Sequence, residues 1–406
     1  MSTAVDRLRA TRDDGPRTPL SRARLLGWAG IALGIAAFII TLPPFLVRSI
    51  IPTIVVAVVA AGLGAVAVRD GERRPGYGAI AAAALSVLGA YGATRSGEGN
   101  LKVVVSWGAL MAAMLRYATP LTFAGLGGLI SERSGVVNLA LEGMLLMGAF
   151  FAAWGADKTD SWVLGILIGV LAGMALGFVH AVFAVTLRAD QIVSGTGLNF
   201  VALGLTGYVY VDTYGDQGTP DNLSQVPDVH LGTGSLGFIG QAINDLNLLV
   251  WGSLLAVFLV WLFVFRTPRG LRLRSVGENP RAAETVGINV IKVRYAAVIA
   301  SGGLAALGGA FLSIGFVHSF TQNMSAGRGF IALAALIAGR WRPWALLAVT
   351  LGFGLSQALA QRLPEFSAQL ATLFQALPYV LTLIAVAGVI GRSTPPAADG
   401  VPYQRE

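Results

Sequence analysis

The chain has 406 residues, of which 55% are hydrophobic and only 12% charged, against about 25% charged in an average soluble domain. With a mean hydropathy of +0.69, most of it must face lipid or other helices, which excludes a water-soluble globular protein and leaves a polytopic membrane protein with room for about ten to twelve spans. Cysteine is absent, excluding disulfides, thiolate metal sites and cysteine nucleophiles, and the net charge of +8 is read loop by loop as topology rather than as a sign of nucleic-acid binding.

In chain order, residues 1–24 form a basic arm with six Arg and no apolar centre, unlike a cleavable signal peptide. Twelve apolar segments follow: Leu25–Leu42, Ile50–Val68, Tyr77–Ala93, Val103–Ile130, Val137–Trp154, Trp162–Leu187, Gln191–Val211, Asn247–Phe265, Ile291–Phe316, Gly327–Gly339, Trp344–Ala360 and Ala371–Gly391. The pattern predicts an all-α transmembrane helical bundle. Residues 25–93 hold almost no polar residues within their spans and read as an accessory N-terminal bundle. The core transmembrane unit is placed over 101–392, with a tail over 393–406. Gly327–Gly339 is too short to cross a bilayer alone and is expected to be a half-span or re-entrant piece.

Charge tests this topology. With the N-terminus inside and sides alternating, 22 of the 29 Lys and Arg fall inside and 6 outside (Arg48, Arg95, Lys102, Lys158, Arg328 and Arg362), with Arg116 within a span. That split fits the positive-inside rule and predicts an even number of spans, with both termini cytoplasmic, in the cell membrane. The outside loop Asp212–Leu246 has five Asp and no Lys or Arg. It reads either as a solvated acidic loop or as a rim for an extracytoplasmic partner.

Polar residues within spans are costly and usually face the bundle interior or a water-filled path. Asn138 and Glu142 are four apart, which places them on one face of a single helix, with Glu142 about a turn from the cytoplasmic end. Gln191 and Asn199 belong to the start of another span. These four are the candidate path-lining polar residues, with helix packing as the alternative. Arg116 is expected to pair with a carboxylate, Glu142 being one option.

The chemistry of a self-sufficient pump is missing. A phosphate-binding loop needs Gly-Lys followed by Ser or Thr, and none of the three lysines, Lys102, Lys158 and Lys292, follows a glycine. The three histidines are far apart in sequence, so no metal site is expected, and no nucleophile–base pattern stands out, so the chain is not read as an enzyme.

One charged stretch interrupts the apolar pattern, "SVGENPRAAETVGINVIKVR" over 275–294. Asn279 can cap a helix, Pro280 suits its first position, and Gly287 suits the left-handed residue after its end. The predicted helix, Pro280–Val286, is too short to be stable alone in water. Ala282, Ala283 and Val286 give it a small apolar face, flanked by Arg281 and Glu284. Two readings stay open: an interfacial helix resting on its own bundle, or a docking helix for a cytoplasmic partner.

The stretch "GENPRAAETVGINVIKVRYAAVIASGGLAALGGAFLSIG" resembles the coupling region of permease subunits of ABC-type importers, in the ribose, nucleoside and branched-chain amino acid group. Three more stretches are similar to that group: "PLTFAGLGGLISERSGVVNLALEGMLLMGAF" (120–150), "DQIVSGTGLNFVALGLT" (190–206) and "GRGFIALAALIAGRWRPWALLAVTLGFG" (327–354). The Ser-Glu-Arg-Ser-Gly-Val-Val-Asn-Leu wording is most similar to the nucleoside branch. The resemblance implies that ATP is bound by a separate cytoplasmic ATP-binding subunit and that this chain holds no cofactor. It also implies a second permease subunit, usually a paralogue, and an extracytoplasmic substrate-binding lipoprotein. A coupling loop would lie over 266–290, with Gly277, Glu278, Asn279, Pro280, Arg281, Ala282, Ala283, Glu284 and Gly287 meeting the ATPase. The implied function is import of nucleosides or simple sugars by alternating access. The alternatives are an ion-coupled secondary transporter and an ABC permease for branched-chain amino acids.

Overall fold

Small residues recur every three or four positions along the first helices, and that spacing decides how they pack. The computed structural model describes residues 21–41, 45, 47, 49–95, 106–215, 218–220, 223–362, 375–376 and 394–404. Its contacts divide the chain into two units, Met1–Ser106 and Trp107–Glu406.

The first unit holds α1 (Arg22–Ile39), α2 (Ile51–Arg69) and α3 (Arg73–Arg95). α1 buries Ala23, Gly27, Gly30, Gly34 and Ala37, and α2 buries Thr53, Ala57, Ala60, Gly64 and Ala67. A Cβ placed on Gly30 would lie 2.7 Å from the Cβ of Ala79 and 2.9 Å from the carbonyl oxygen of Ala60. The backbones thus touch along stripes of small residues, as in membranes, where dispersion contacts replace the hydrophobic effect as the glue between helices. Large side chains such as Trp28, Val58 and Leu88 point outward. Ser21 caps α1, its Oγ accepting from the Arg24 N–H at 3.2 Å. Arg22 and Arg24, expected in the basic arm, therefore belong to the first helix.

The second unit begins with α4 (Trp107–Glu132), α5 (Leu141–Thr159), α6 (Trp162–Ala181, extended by a π-helical turn, Val182–Thr186) and α7 (Gln191–Tyr214). An antiparallel ribbon follows, β1 (Asp228–His230) and β2 (Asp245–Asn247), with α8 (Gly237–Asn244) between its strands. Then come α9 (Leu248–Arg266), α10 (Pro268–Glu278), α11 (Pro280–Thr285), α12 (Val290–Ala310, extended by a π-helical stretch, Phe311–Val317), α13 (Arg328–Ala338) and α14 (Pro343–Arg362).

Among the described residues, eight helices are long and apolar enough to cross a membrane. α5 has 19 residues as well but carries Glu142, Asp157 and Lys158. The expected count of twelve spans is not reached among these residues, and the predicted segment Ala371–Gly391 lies almost wholly outside them. Glycines set the core contacts here too. α4 and α12 run antiparallel: a Cβ on Gly127 would lie 2.6 Å from the Ser301 carbonyl oxygen, and one on Gly308 would lie 2.9 Å from that of Pro120.

The hydrogen bonds of this unit sort its loops to two ends. At one end the Trp162 N–H donates to Ser224 Oγ, Val226 N–H to the Ile314 carbonyl, and Phe320 N–H to Thr219 Oγ1. At the other, Arg133 donates to the Trp341 carbonyl and Ala398 N–H to the Gly277 carbonyl. This second end carries the basic stretch from Arg266 to Arg294.

Candidate functional site

Between α4 and α5 the chain turns at Arg133–Gly135 and then climbs back into the bundle without helical bonds. Its backbone groups are met by side chains of α7. The Val137 N–H donates to Gln191 Oε1 at 2.8 Å. Asn199, two turns further on, donates to the Leu139 carbonyl at 2.9 Å and accepts from the Gly143 N–H at 2.8 Å. Gln191 and Asn199 are eight residues apart on one helix, about 12 Å, so the segment rises by that much before α5 is under way. Irregular backbone at this depth survives only where such partners exist.

Asn138 lies in this segment. Its Nδ2 donates to Ser301 Oγ at 2.8 Å and its Oδ1 accepts from the Ala140 N–H at 3.0 Å. The expectation that Asn138 and Glu142 share one helix face is therefore corrected. α5 starts only at Leu141, because Asn138 satisfies the chain locally and across to α12 in place of helical bonds.

Glu142 sits at the start of α5 and caps a different helix. Its two carboxylate oxygens accept from the backbone N–H groups of Gly327 at 2.7 Å and Gly329 at 2.6 Å. These are orphan donors at the N-terminus of α13, where a carboxylate is favoured by both hydrogen bonding and the helix dipole. A Cβ on Gly329 would lie 2.4 Å from the Glu142 nitrogen, so only glycine admits this approach. α13 has 11 residues, about 16 Å. Its far end reaches Trp341, whose Nε1 donates to Glu132 Oε2 at 2.6 Å. Glu142 therefore lies about three turns from that end, not one. The short apolar run is a half-length helix, as its length predicted, and the carboxylate at its buried tip was not legible as such.

Above α13 lies a cavity of about 100 Å³ lined by Tyr117, Leu121, Ala326, Arg328, Ile331, Phe353 and Gln357. Arg328 donates to the carbonyls of Met324 at 2.9 Å and Ser325 at 3.1 Å. Two aromatic rings, a guanidinium and an amide thus meet in a small hollow within the helical unit. Asn138, Glu142, Gln191 and Asn199 do not line it; Asn138, Gln191 and Asn199 hold the broken backbone between α4 and α5, and Glu142 holds the head of α13 beside the cavity. Sequence reasoning missed Arg328 as an interior group by assigning it to an outside loop. The available signal was its place right after Gly327, at the head of a helix too short to span. Arg116 donates to the Asp245 carbonyl at 2.9 Å rather than to Glu142.

At the basic end, α10 and α11 form a helical pair. Thr267 caps α10, its Oγ1 accepting from the Gly270 N–H at 3.1 Å, with Pro268 at the first position. Asn279 caps α11, its Oδ1 accepting from the Ala282 N–H at 3.0 Å. α11 closes at Val286, followed by Gly287 at φ +83°. Glu278, Asn279, Arg281 and Ala282 are exposed, and Val286 is 75% exposed. Pro280 and Glu284 are half-buried. Ala283 is only 3% exposed and packs against Val276, Val290 and Tyr403. Gly277 is buried as well, where a Cβ would lie 2.3 Å from the Arg133 carbonyl oxygen. The exposed apolar face thus consists of Ala282 and Val286, with the buried Ala283 forming part of the floor between them. They border a groove of about 450 Å³ between the two helices, with Leu271 and Ile288 along its wall.

Residues 110–386 match the family described as branched-chain amino acid transport system / permease component. The chain is 40% identical over 313 residues to the guanosine ABC transporter permease protein NupQ of Bacillus subtilis, covering 72% of this chain and 96% of the relative. It is 39% identical over 316 residues to the nucleoside ABC transporter permease protein NupC of Lactococcus lactis, covering 75% and 99%. It is 37% identical over 268 residues to the putative glucose ABC transporter permease protein TsgC13 of Haloferax volcanii, covering 64% and 78%. No solved structure matches. The chain belongs to this family of ABC transporter permeases and is a multi-pass membrane protein.

Proposed function

We propose that this chain is the membrane-spanning subunit of an ATP-driven nucleoside importer in the cell membrane. The observation that carries the substrate class is the 40% identity spanning nearly the whole of a guanosine permease, with a nucleoside permease at 39% beside it. A hollow with Tyr117, Phe353, Arg328 and Gln357 carries matching chemistry, rings for a base face and donors and an amide for its polar edge and the sugar, but at about 100 Å³ it must widen to admit a nucleoside. In this reading the basic end is cytoplasmic, both termini lie there, a paralogous permease completes the pore, and a lipoprotein delivers the substrate outside.

The chain has no phosphate-binding loop, so the motor is a separate ATPase, and α10–α11 is where it docks. Glu278, Asn279, Arg281, Ala282 and Val286 are the exposed members of the proposed contact set. Pro280 and Gly287 fix the shape of the helix, and Gly277 and Ala283 seat it on the core. ATP-driven closure of the motor then moves this pair and reorients the bundle.

Val286→Glu tests the docking, because that side chain is exposed and the change leaves the core intact. The expected result is loss of co-purifying ATPase and of nucleoside uptake at unchanged membrane abundance. Retained ATPase binding would refute the docking role. Uptake of labelled guanosine, glucose and leucine in membrane vesicles tests the cargo, and guanosine uptake that persists without ATP would favour an ion-coupled carrier. Glu142 offers little to that rival, since both its oxygens already hold α13.

A further inference from the structure

α11 has six residues and is far too short to hold its shape unaided, yet it is the part of the molecule proposed to receive a mechanical push. Its anchorage comes from the far end of the sequence. Residues 394–404 lie along the base of the second unit, burying Pro396, Ala398 and Tyr403 and exposing the residues around them. They meet three elements. On α10, the Ala398 N–H donates to the Gly277 carbonyl at 2.9 Å, an orphan acceptor of that helix's last turn, and the Ala397 N–H donates to Glu278 Oε2 at 3.3 Å. On α11, the Tyr403 hydroxyl donates to Glu284 Oε2, and its ring packs on Ala283. On α12, Arg294 is 0% exposed, donates from Nη1 to the Val401 carbonyl at 3.0 Å, and lies over the Tyr403 ring.

Arg294 makes the arrangement more than incidental. A buried charge needs both hydrogen-bond acceptors and an opposite charge. The tail supplies an acceptor at Val401 and the face of the Tyr403 ring, and Asp399, when ionised, attracts the guanidinium from a distance without a direct ion pair; Nε and Nη2 of Arg294 make no hydrogen bond among the described residues. The tail also touches the turn that leads to the broken segment: a Cβ on Gly135 would lie 2.9 Å from the Ala398 carbonyl oxygen.

We propose that residues 394–404 are a strap that positions the α10–α11 pair on α12, so that movement of the pair is passed to the bundle instead of being absorbed at the short helix, with Tyr403 and Arg294 as its positioning residues. This rests on the reading of α10–α11 as the ATPase docking element. That reading fails on its own if Val286→Glu leaves ATPase association unchanged, whereas the strap is tested in the assembled complex.

The experiment uses the full importer in proteoliposomes with its ATPase, partner permease and binding protein, and reads substrate moved per ATP hydrolysed, normalised to assembled complex. Tyr403→Ala removes ring and hydroxyl, Tyr403→Phe only the hydroxyl, and Arg294 stays untouched. The expected result is that Tyr403→Ala still assembles and hydrolyses ATP while transport per ATP falls about fivefold or more, the size of an ordinary coupling effect, and that Tyr403→Phe restores most of it. An unchanged ratio overturns the strap, whether total uptake is normal or falls only in step with the amount of assembled complex.

Discussion

The two units solve the same problem with opposite materials. In the first, the helices bury only small residues and turn their large side chains outward, so closeness of backbones is the whole of the packing. The second shares the glycine contacts but also buries Arg294, Glu142, Asn138 and Glu132, each with named partners. Expensive groups in a membrane interior are kept where something has to be held in one shape. On this contrast we propose that the working parts lie in Trp107–Glu406 and that the helices of Met1–Ser106 are accessory.

The sharpest way to break the contrast is Glu142→Ala. It orphans two buried N–H groups at the tip of α13, at about 1–3 kcal/mol each. Uptake should be lost and the thermal midpoint in detergent should fall, while Glu142→Gln, which keeps one acceptor, should fall between. Next is a paired glycine test. Gly148→Leu in the core meets Ala306 Cα, 2.3 Å from where its Cβ would be, and Gly30→Leu in the first unit meets Ala79 at 2.7 Å. Each should cost about 1–3 kcal/mol or more in thermal stability, but only the core change should abolish uptake. A chain beginning at Ser106 sharpens the same point: it is expected to assemble and transport, and loss of uptake at normal abundance would give the first unit a working role.

The smallest effect concerns Asp399. Burial pushes its carboxyl up to about 7 against the pull of Arg294 on α12 and the hydrogen bond from the Gly400 backbone. A carboxyl whose pKa is raised on docking binds a proton more tightly when docked. The contribution to tail docking is full below its ordinary value of 3.8 and is lost as pH rises through about 7. A single cysteine at Ala398, which is buried in the docked tail, should therefore be labelled faster as pH rises from 6 to 8, by more than in an Asp399→Asn background, which corrects for ionisation of the thiol itself.

What could be read from the sequence was local. Asn279, Pro280 and Gly287 announce α11 because capping involves only neighbouring residues, and the length of Gly327–Gly339 alone announces a half-helix. Thr267 and Pro268 carry the same grammar for α10, which was available and not used. The rest depended on partners far away in the chain. Asn138 breaks its helix because Ser301, 163 residues on, receives its amide. Glu142 caps glycines 185 and 187 residues away. Ala283 looks like an open alanine until Tyr403, brought over it by a bond spanning 119 residues, covers it. No periodicity encodes such pairings.

The burial of Arg294 also has a consequence in time. Its acceptor on Val401 lies 107 residues downstream, which a ribosome adding about 5–20 residues per second takes several seconds to make. During that interval α12 can enter the membrane, but the guanidinium at its base has neither acceptor nor counter-charge from the tail. The growing chain thus carries an unfinished base for several seconds after α12 is made, and the buried guanidinium is completed only when the tail arrives.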